Sequence, residues 1–332
     1  MPPTGYGGIE WIVSLLAEGL TEAGHDVTLF ASGDSSTSAT LSAVYERAPS
    51  ELIGNSITEL RHALACYERA GGFDVINDHS GLPAAALGGA VSTPVLHTVH
   101  GPVDAEGGEV YEQIARVAPQ VGLISISQNQ RRPKPHLPWV ANCPNGVDLS
   151  LYPWEPAGGD YLLFLGRMSP DKGAQRAVEV ARELGLPLKL AGKRREPKEL
   201  EFFASAVAPH LGNGIEYLGE VSHDEKVELL QHARATLFPI EWEEPFGLVM
   251  IESMACGTPV IAARHGAVPE VIEHGRGGII VESYRDMPAA LAEADGLDRR
   301  ECRRSVEERF SSRRMVADYV AAYRDAIVRA GA

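Results

Sequence analysis

ATLFPIEWEEPFGLVMIESMACGTPVIAA, residues 235–263, passes from one apolar run to another through a turn and a helical stretch. The flanking runs ATLFPI (235–240) and PVIAA (259–263) are short and apolar on both faces, as strands of a covered parallel sheet are. Glu244-Pro245-Phe246-Gly247 breaks the pattern between them, and a helix is predicted from about Gly247 or Leu248. Strand, helix and strand in that order make a right-handed βαβ unit.

The same alternation extends in both directions. HDVTLFA (25–31), DVIND (74–78), PVLHTVH (94–100) and VGLISIS (121–127) read as strands of a first half. YLLFLG (161–166), LKLAG (188–192), IEYLG (215–219) and GIIV (278–281) join the two opening strands in a second. The predicted fold class is therefore α/β, two Rossmann-like parallel-sheet domains. PNGVDLSLYPWEPAGGDY (144–161), dense in Pro and Gly, separates them. The domains expected are 1–148 and 149–311, followed by a C-terminal helix over 312–332. That helix carries Met315, Val316, Tyr319, Val320, Tyr323 and Ile327 at helical spacing and is expected to cross back onto the first domain. Ser32–Ser42 reads as a loop. Gly8–Ala23 has a helical pattern, so the first domain opens on a loop and helix where a βαβ domain ordinarily opens on a strand.

Composition narrows the function classes. A net charge of -15 over 332 residues argues against nucleic acid as a partner, because binding a phosphate backbone needs an excess of Lys and Arg. Cys66, Cys143, Cys256 and Cys302 are scattered without metal-ligand or disulfide spacing. No basic leader into an apolar stretch and no transmembrane segment is read, so a cytoplasmic protein is expected. Arg131-Arg132-Pro133-Lys134 is taken as a solvated loop. The oligomeric state has no signature.

Two elements carry chemistry. Glu244 precedes the helix predicted at Gly247, and Glu252 lies about one turn inside it. Free amides and the positive dipole end at a helix start attract an anion. Carboxylates beside such a site suit hydroxyl donors, the hydroxyls of a sugar. In FLGRMSPDKGAQRAVEVA (164–181), a strand ends at Gly166, Arg167 and Lys172 follow, and a helix starts near Gly173. Two cations at a strand's carboxyl end suit a diphosphate. Among the histidines, His97 reads as strand packing, His79 as an acceptor contact or a loop hydrogen bond, and His100 as functional; His265 is a weaker candidate.

With GYGG (5–8), GHDVTLFA (24–31), TVHG (98–101), PNGVD (144–148), GRMSPDKG (166–173), YLGEV (217–221), EPFGLVMIE (244–252) and GTPVIA (257–262), the chain resembles family 4 of the retaining glycosyltransferases, the glycosyl transferases group 1. The resemblance runs nearly end to end and implies the GT-B fold, two facing Rossmann-like domains with an interdomain cleft. It implies that Arg167 and Lys172 hold the diphosphate of a nucleotide-sugar donor, and Glu252 its ribose hydroxyls. Glu244 would meet the donor sugar. Gly166, Phe246, Gly247, Leu248 and Val249 would line the sugar and phosphate, and Gly219 and Val221 the base. Gly7 and Gly8 would admit the diphosphate on the first domain, His100 would reach a donor-sugar hydroxyl near the reaction centre, and His79 would lie toward the acceptor. Arg167, Lys172, Glu244 and His100 are the catalytic set it implies.

The implied reaction is metal-independent and needs no cofactor besides the substrate, taken as a UDP-sugar; no D-x-D follows a strand. The acceptor expected is a hydroxylated small molecule or glycan. High Ala, Gly and Arg usage points to a high-GC, actinobacterial source, where such enzymes decorate antibiotics or make cell-envelope glycans and storage sugars. With no basic, membrane-facing helix read near the N-terminus, a soluble acceptor is expected, a natural product such as an oligosaccharide antibiotic. The alternatives are a nucleotide-binding remnant or partner-dependent subunit without turnover, and a sugar phosphorylase or nucleotide-sugar hydrolase. A dinucleotide oxidoreductase is set aside, since no strand precedes Gly5 and the G-x-G-x-x-G spacing fails.

Overall fold

The computed structural model describes residues 7–49 and 55–331. In chain order these form α1 (Gly8–Glu22), β1 (Thr28–Ala31), β2 (Thr40–Ala43), α2 (Ser56–Tyr67), β3 (Ile76–Asp78), α3 (Leu82–Leu87), β4 (Val95–Thr98), α4 (Ala105–Val117), β5 (Gly122–Ser125) and β6 (Trp139–Asn142). They continue with β7 (Tyr161–Leu165), α5 (Ala174–Leu184), β8 (Leu188–Ala191), α6 (Pro197–Phe202), β9 (Ile215–Tyr217), α7 (His223–Gln231), β10 (Ala233–Phe238) and α8 (Leu248–Ala255). The last elements are β11 (Val260–Ala263), α9 (Val268–Val271), β12 (Gly278–Val281), α10 (Met287–Asp295), α11 (Arg299–Arg309) and α12 (Ser312–Gly331). Two compact units result: Gly7–Asn145 with Ser312 onward, and Gly146–Ser311. Of the GYGG motif, Gly5 and Tyr6 lie outside the described residues.

The second unit is a six-stranded sheet in the order β12-β11-β10-β7-β8-β9, with every neighbouring pair parallel. Leu162, Phe164, Leu188, Leu190, Leu237 and Ile261 bury their side chains with Ala177, Val178 and Ala181 of α5. Each fully buried aliphatic side chain of this kind contributes roughly 1.5–3 kcal/mol. From β7 the chain winds outward through β8 and β9, then returns to β10 on the other side of β7 and winds the opposite way. Strand order reverses between β7 and β10, and their following loops diverge there. Open α/β sheets bind ligands at such a point.

In the first unit, β3-β4-β5-β6 form a four-stranded parallel sheet, and β1 pairs with β2 in a separate parallel ribbon. Val95, Val99 and Leu123 pack with Tyr111 and Ile114 of α4. Helix α12 packs on α1, where a Cβ on Gly19 would stand 2.5 Å from Val316 Cγ2. The apolar face of α12 is shorter than its sequence pattern: Met315, Val316, Tyr319 and Ala322 are buried, but Ile327 is 39% exposed.

Two strands escape the sequence reading. β2 lies across the end of the Ser/Thr-rich stretch expected to be loop, and β6 was not anticipated. Both are edge strands without a fully buried residue: β2 is half polar and exposed at both ends, and β6 follows directly on the Pro-rich stretch 131–138, whose turn signals mask its short apolar run 139–141. The basic segment is tied into the fold: Arg131 Nε donates to Ser125 Oγ and the guanidinium stacks on Trp139, while Lys134 pairs with Glu112 at 2.7 Å. Among the described residues, no helix is long and apolar enough to cross a membrane.

Candidate functional site

In the second unit the site is built from loops that leave the carboxyl ends of parallel strands. The loop after β7 holds Gly166, Arg167 and Lys172 and ends at Gly173, whose φ of +81° caps α5. A side chain on Gly173 would collide with the Pro239 carbonyl oxygen at 2.5 Å, so this loop and the one after β10 meet backbone to side. Gly192 likewise lets the loop after β8 close on Gly166, with a Cβ position only 1.8 Å from the Gly166 oxygen.

Lys172 and Glu244 bridge the two strands that flank the reversal of sheet order. The Lys172 ammonium donates to Glu244 Oε2, and its Nζ lies 4.6 Å from the centre of the Trp242 ring. Glu244 is buried, and its backbone is clamped by the loop after β11. Ala267 N–H donates to the Glu244 carbonyl at 2.9 Å. Gly266, at φ +55°, makes this clamp possible, since a Cβ there would fall 2.3 Å from both the Glu244 nitrogen and oxygen. His265 lies 3.8 Å from Glu243, not against Glu244.

Helix α8 starts as the sequence predicts. Gly247, at φ +81°, is its N-cap and offers no side chain, so the amides of Leu248 and Val249 are left for an outside acceptor. Phe246 is buried and packs edge-on against Phe310 at 5.8 Å. One turn into α8, Glu252 Oε1 accepts from Lys226 Nζ at 2.6 Å and from the Tyr152 hydroxyl at 2.7 Å. Burial raises its pKa, but the Lys226 charge and these hydrogen bonds outweigh that and hold the carboxyl below its usual range. Arg167 is separate from Lys172 in its pairing: it lies 3.6 Å from both Asp171 and the buried Glu199. In the loop after β9, Gly219 has φ +79° and its oxygen accepts from Gly192 N–H, while Val221 is half-buried.

In the first unit the strand ends carry histidines. His97 is fully buried in β4, with Nδ1 at 2.5 Å from Asp78 Oδ2 and Nε2 at 2.9 Å from the Tyr111 hydroxyl. That is the packing role expected of it. His79, just after β3, and His100, two residues after β4, form a hydrogen bond of 2.9 Å between His79 Nδ1 and His100 Nε2. Burial pushes His79 down to about 4 and His100 well below the ordinary imidazole range, so both rings are neutral near pH 7. Gly7 has an extended backbone and Gly8 is the first residue of α1.

The structure thus brings together Lys172 with Glu244, and His79 with His100. It adds residues the sequence did not assign to a site: Trp242 beside Lys172, Lys226 and Tyr152 on Glu252, and, behind His79, Asn77 and Tyr323, the latter read only as part of the packing face of the last helix. Lys226 and Tyr152 come from a surface helix and an irregular connection, where a lone Lys or Tyr has no distinguishing spacing. The capping box Ser222–Glu225 that starts α7, and so points Lys226 inward, is the one local signal.

Comparison with known proteins agrees with this architecture. Residues 155–309 match the family described as Glycosyl transferases group 1, and residues 6–151 match Glycosyltransferase Family 4. Glycogen synthase of Mycobacterium tuberculosis is 26% identical over 84% of this chain and 79% of its own. D-inositol 3-phosphate glycosyltransferase of Pseudarthrobacter chlorophenolicus is also 26% identical, over the same shares. The crystal structure of AviGT4, a glycosyltransferase involved in avilamycin A biosynthesis, superposes with a TM-score of 0.71 at 27% identity, over 98% of this chain and 92% of that one.

Proposed function

We propose that this chain, a glycosyltransferase of the GT-B fold, moves a sugar from a nucleotide sugar to a hydroxylated acceptor with retention of anomeric configuration. The observation that carries the reading is the Lys172–Glu244 ion pair across the reversal of strand order, beside the uncapped start of α8. A cation, free helix amides and a clamped carboxylate together match a diphosphate joined to a sugar, the first two for phosphate and the last for hydroxyls.

In the proposed step the bond from the sugar C1 to the phosphate oxygen breaks, and a bond from C1 to the acceptor oxygen forms on the same face. The acceptor proton passes to the departing phosphate oxygen. Arg167, Lys172 and the amides of Leu248 and Val249 take up the charge that develops on the diphosphate, so the reaction needs no metal. Glu252 uses its Oε2 for ribose hydroxyls, since Lys226 and Tyr152 hold Oε1. His100 donates to a donor-sugar hydroxyl, and His79 stands on the acceptor side. The donor class proposed is a UDP-sugar, its base meeting the backbone of the loop around Gly219, which stands at φ +79°. The acceptor is proposed to be a carbohydrate-bearing natural product, a reading supported by the likeness to AviGT4.

A panel of nucleotide sugars, with and without oligosaccharide acceptors and with a chelator in parallel, tests this. Expected are acceptor-dependent nucleotide release, a product of unchanged anomeric configuration by NMR, and full activity with chelator. Release of nucleotide at the same rate without acceptor would instead mark a hydrolase, release driven by inorganic phosphate would mark a phosphorylase, and loss of activity with chelator would end the metal-free reading.

A further inference from the structure

The two neutral rings at the ends of β3 and β4 form part of a longer polar chain. Asn77, the middle residue of β3, has its amide oxygen 3.1 Å from the Thr98 hydroxyl, which donates to it. Its Nδ2 lies 2.7 Å from the Tyr323 hydroxyl and 2.7 Å from His79 Nε2. An amide nitrogen has two protons and no acceptor capacity, so in this orientation His79 Nε2 must accept. A neutral imidazole has one proton, which for His79 then sits on Nδ1. Nδ1 faces His100 Nε2 at 2.9 Å, so His100 Nε2 accepts in turn, and the His100 proton is on Nδ1. His100 Nδ1 has no hydrogen-bond partner among the described residues.

We propose that Asn77, anchored by Tyr323 of α12 and by Thr98, is a positioning residue that fixes the tautomers of His79 and His100, so that His100 offers an Nδ1–H donor to an oxygen of the sugar substrate. Burial supports the one-proton-per-ring condition: Asp78 pulls the His79 pKa upward but less than burial lowers it. The Tyr319 ring packs beside that of His79, with centroids 5.8 Å apart and the planes tilted by 41°. A donor fixed in advance favours a hydroxyl that accepts and disfavours one that must donate, so the relay is a specificity device as much as a contact. The inference rests on the sugar-side role of His100 proposed above.

Two-bond nitrogen–proton NMR on the full chain labelled with 15N-histidine, near pH 7, reads the tautomers directly. Assignment comes from His79→Asn and His100→Gln. The result expected is a protonated Nδ1 and a bare Nε2 on both rings; a proton on Nε2 of either ring overturns the relay. Asn77→Ala should lower kcat by about two- to tenfold, the value of one hydrogen bond, while the free nucleotide binds as in the wild type by thermal shift. Tyr323→Phe, which removes one oxygen from an otherwise intact α12, should move kcat in the same direction by less. Unchanged kcat in both variants, with the protein folded, overturns the positioning role. If the tautomers are as expected but His100→Gln retains full turnover, the sugar-side reading fails and the relay stands. If His100→Gln abolishes turnover and Nε2 carries the proton, the relay fails and the reading stands.

Discussion

The loops after β7 and β10 place formal charges: Lys172 against Glu244, with Lys226 against Glu252 on the helix that follows. At the ends of β3 and β4 the carboxylate of Asp78 is taken up by His97, while His79 and His100 are neutral and joined through Asn77 to Tyr323. The first arrangement suits a doubly charged diphosphate, whose binding grows with every opposing charge. The second suits a neutral hydroxyl, for which direction matters more than strength. One chain therefore divides recognition into an electrostatic part and a directional part, and the two respond to different perturbations.

The largest expected effect falls on the charged part. Lys172→Ala and Glu244→Gln should each lower kcat/KM by about 100-fold or more with the circular dichroism spectrum intact, because each also strands a partner that is mostly buried. The double variant should be little worse than either single one; full additivity in a kinetic double-mutant cycle would show that the pair does not act as a unit. Next in size is Glu252→Gln, which should raise donor KM by about tenfold and leave kcat nearly unchanged. A fall in kcat of the same size would move Glu252 from ribose binding to the reacting sugar.

Salt separates the two regions further. Raising ionic strength from about 0.05 M to about 0.5 M should weaken nucleotide binding several-fold by calorimetry, while the histidine tautomers stay as they are. A salt-insensitive nucleotide affinity would break the comparison.

The smallest effect is on stability against pH. The His79 pKa is lowered from 6.5 to about 4, so below pH 6.5 the unfolded chain binds a proton the folded one does not. Its contribution is fully present above that pH and is lost as the pH falls toward about 4. Glu252 is also lowered, from 4.5, so the stability it adds above that value is lost only as pH falls through its folded pKa. In urea titrations, His79→Asn should flatten the slope between about pH 6.5 and 4, and Glu252→Gln should flatten only the slope below it.

The difference between the regions also explains what could be read from the sequence. The charged region was legible because Arg167, Lys172, Glu244 and Glu252 sit at fixed spacings from strand ends and helix starts, where period and turn residues place them. The two strand sets were legible for the same reason, since β7, β10 and β11 are apolar on both faces. In the directional region His79 and His100 could be singled out, but not what joins them, because Asn77 and Tyr323 stand 246 positions apart and meet only when α12 packs on the first unit. The edge strands β2, which is half polar, and β6, which sits directly behind a Pro-rich stretch, were not legible either, nor were Tyr152 and Lys226, which reach Glu252 from other parts of the chain.

Gly266 shows how far such dependence extends. Its missing side chain is the space in which the Glu244 backbone rests, and any larger residue there would have to push that carboxylate out of place. In a mutational scan, position 266 should therefore look as intolerant as the carboxylate itself although it performs no chemistry. Libraries that diversify the loop after β11 to alter sugar preference would select against their own variation at this position, so the useful freedom in that loop begins on either side of it.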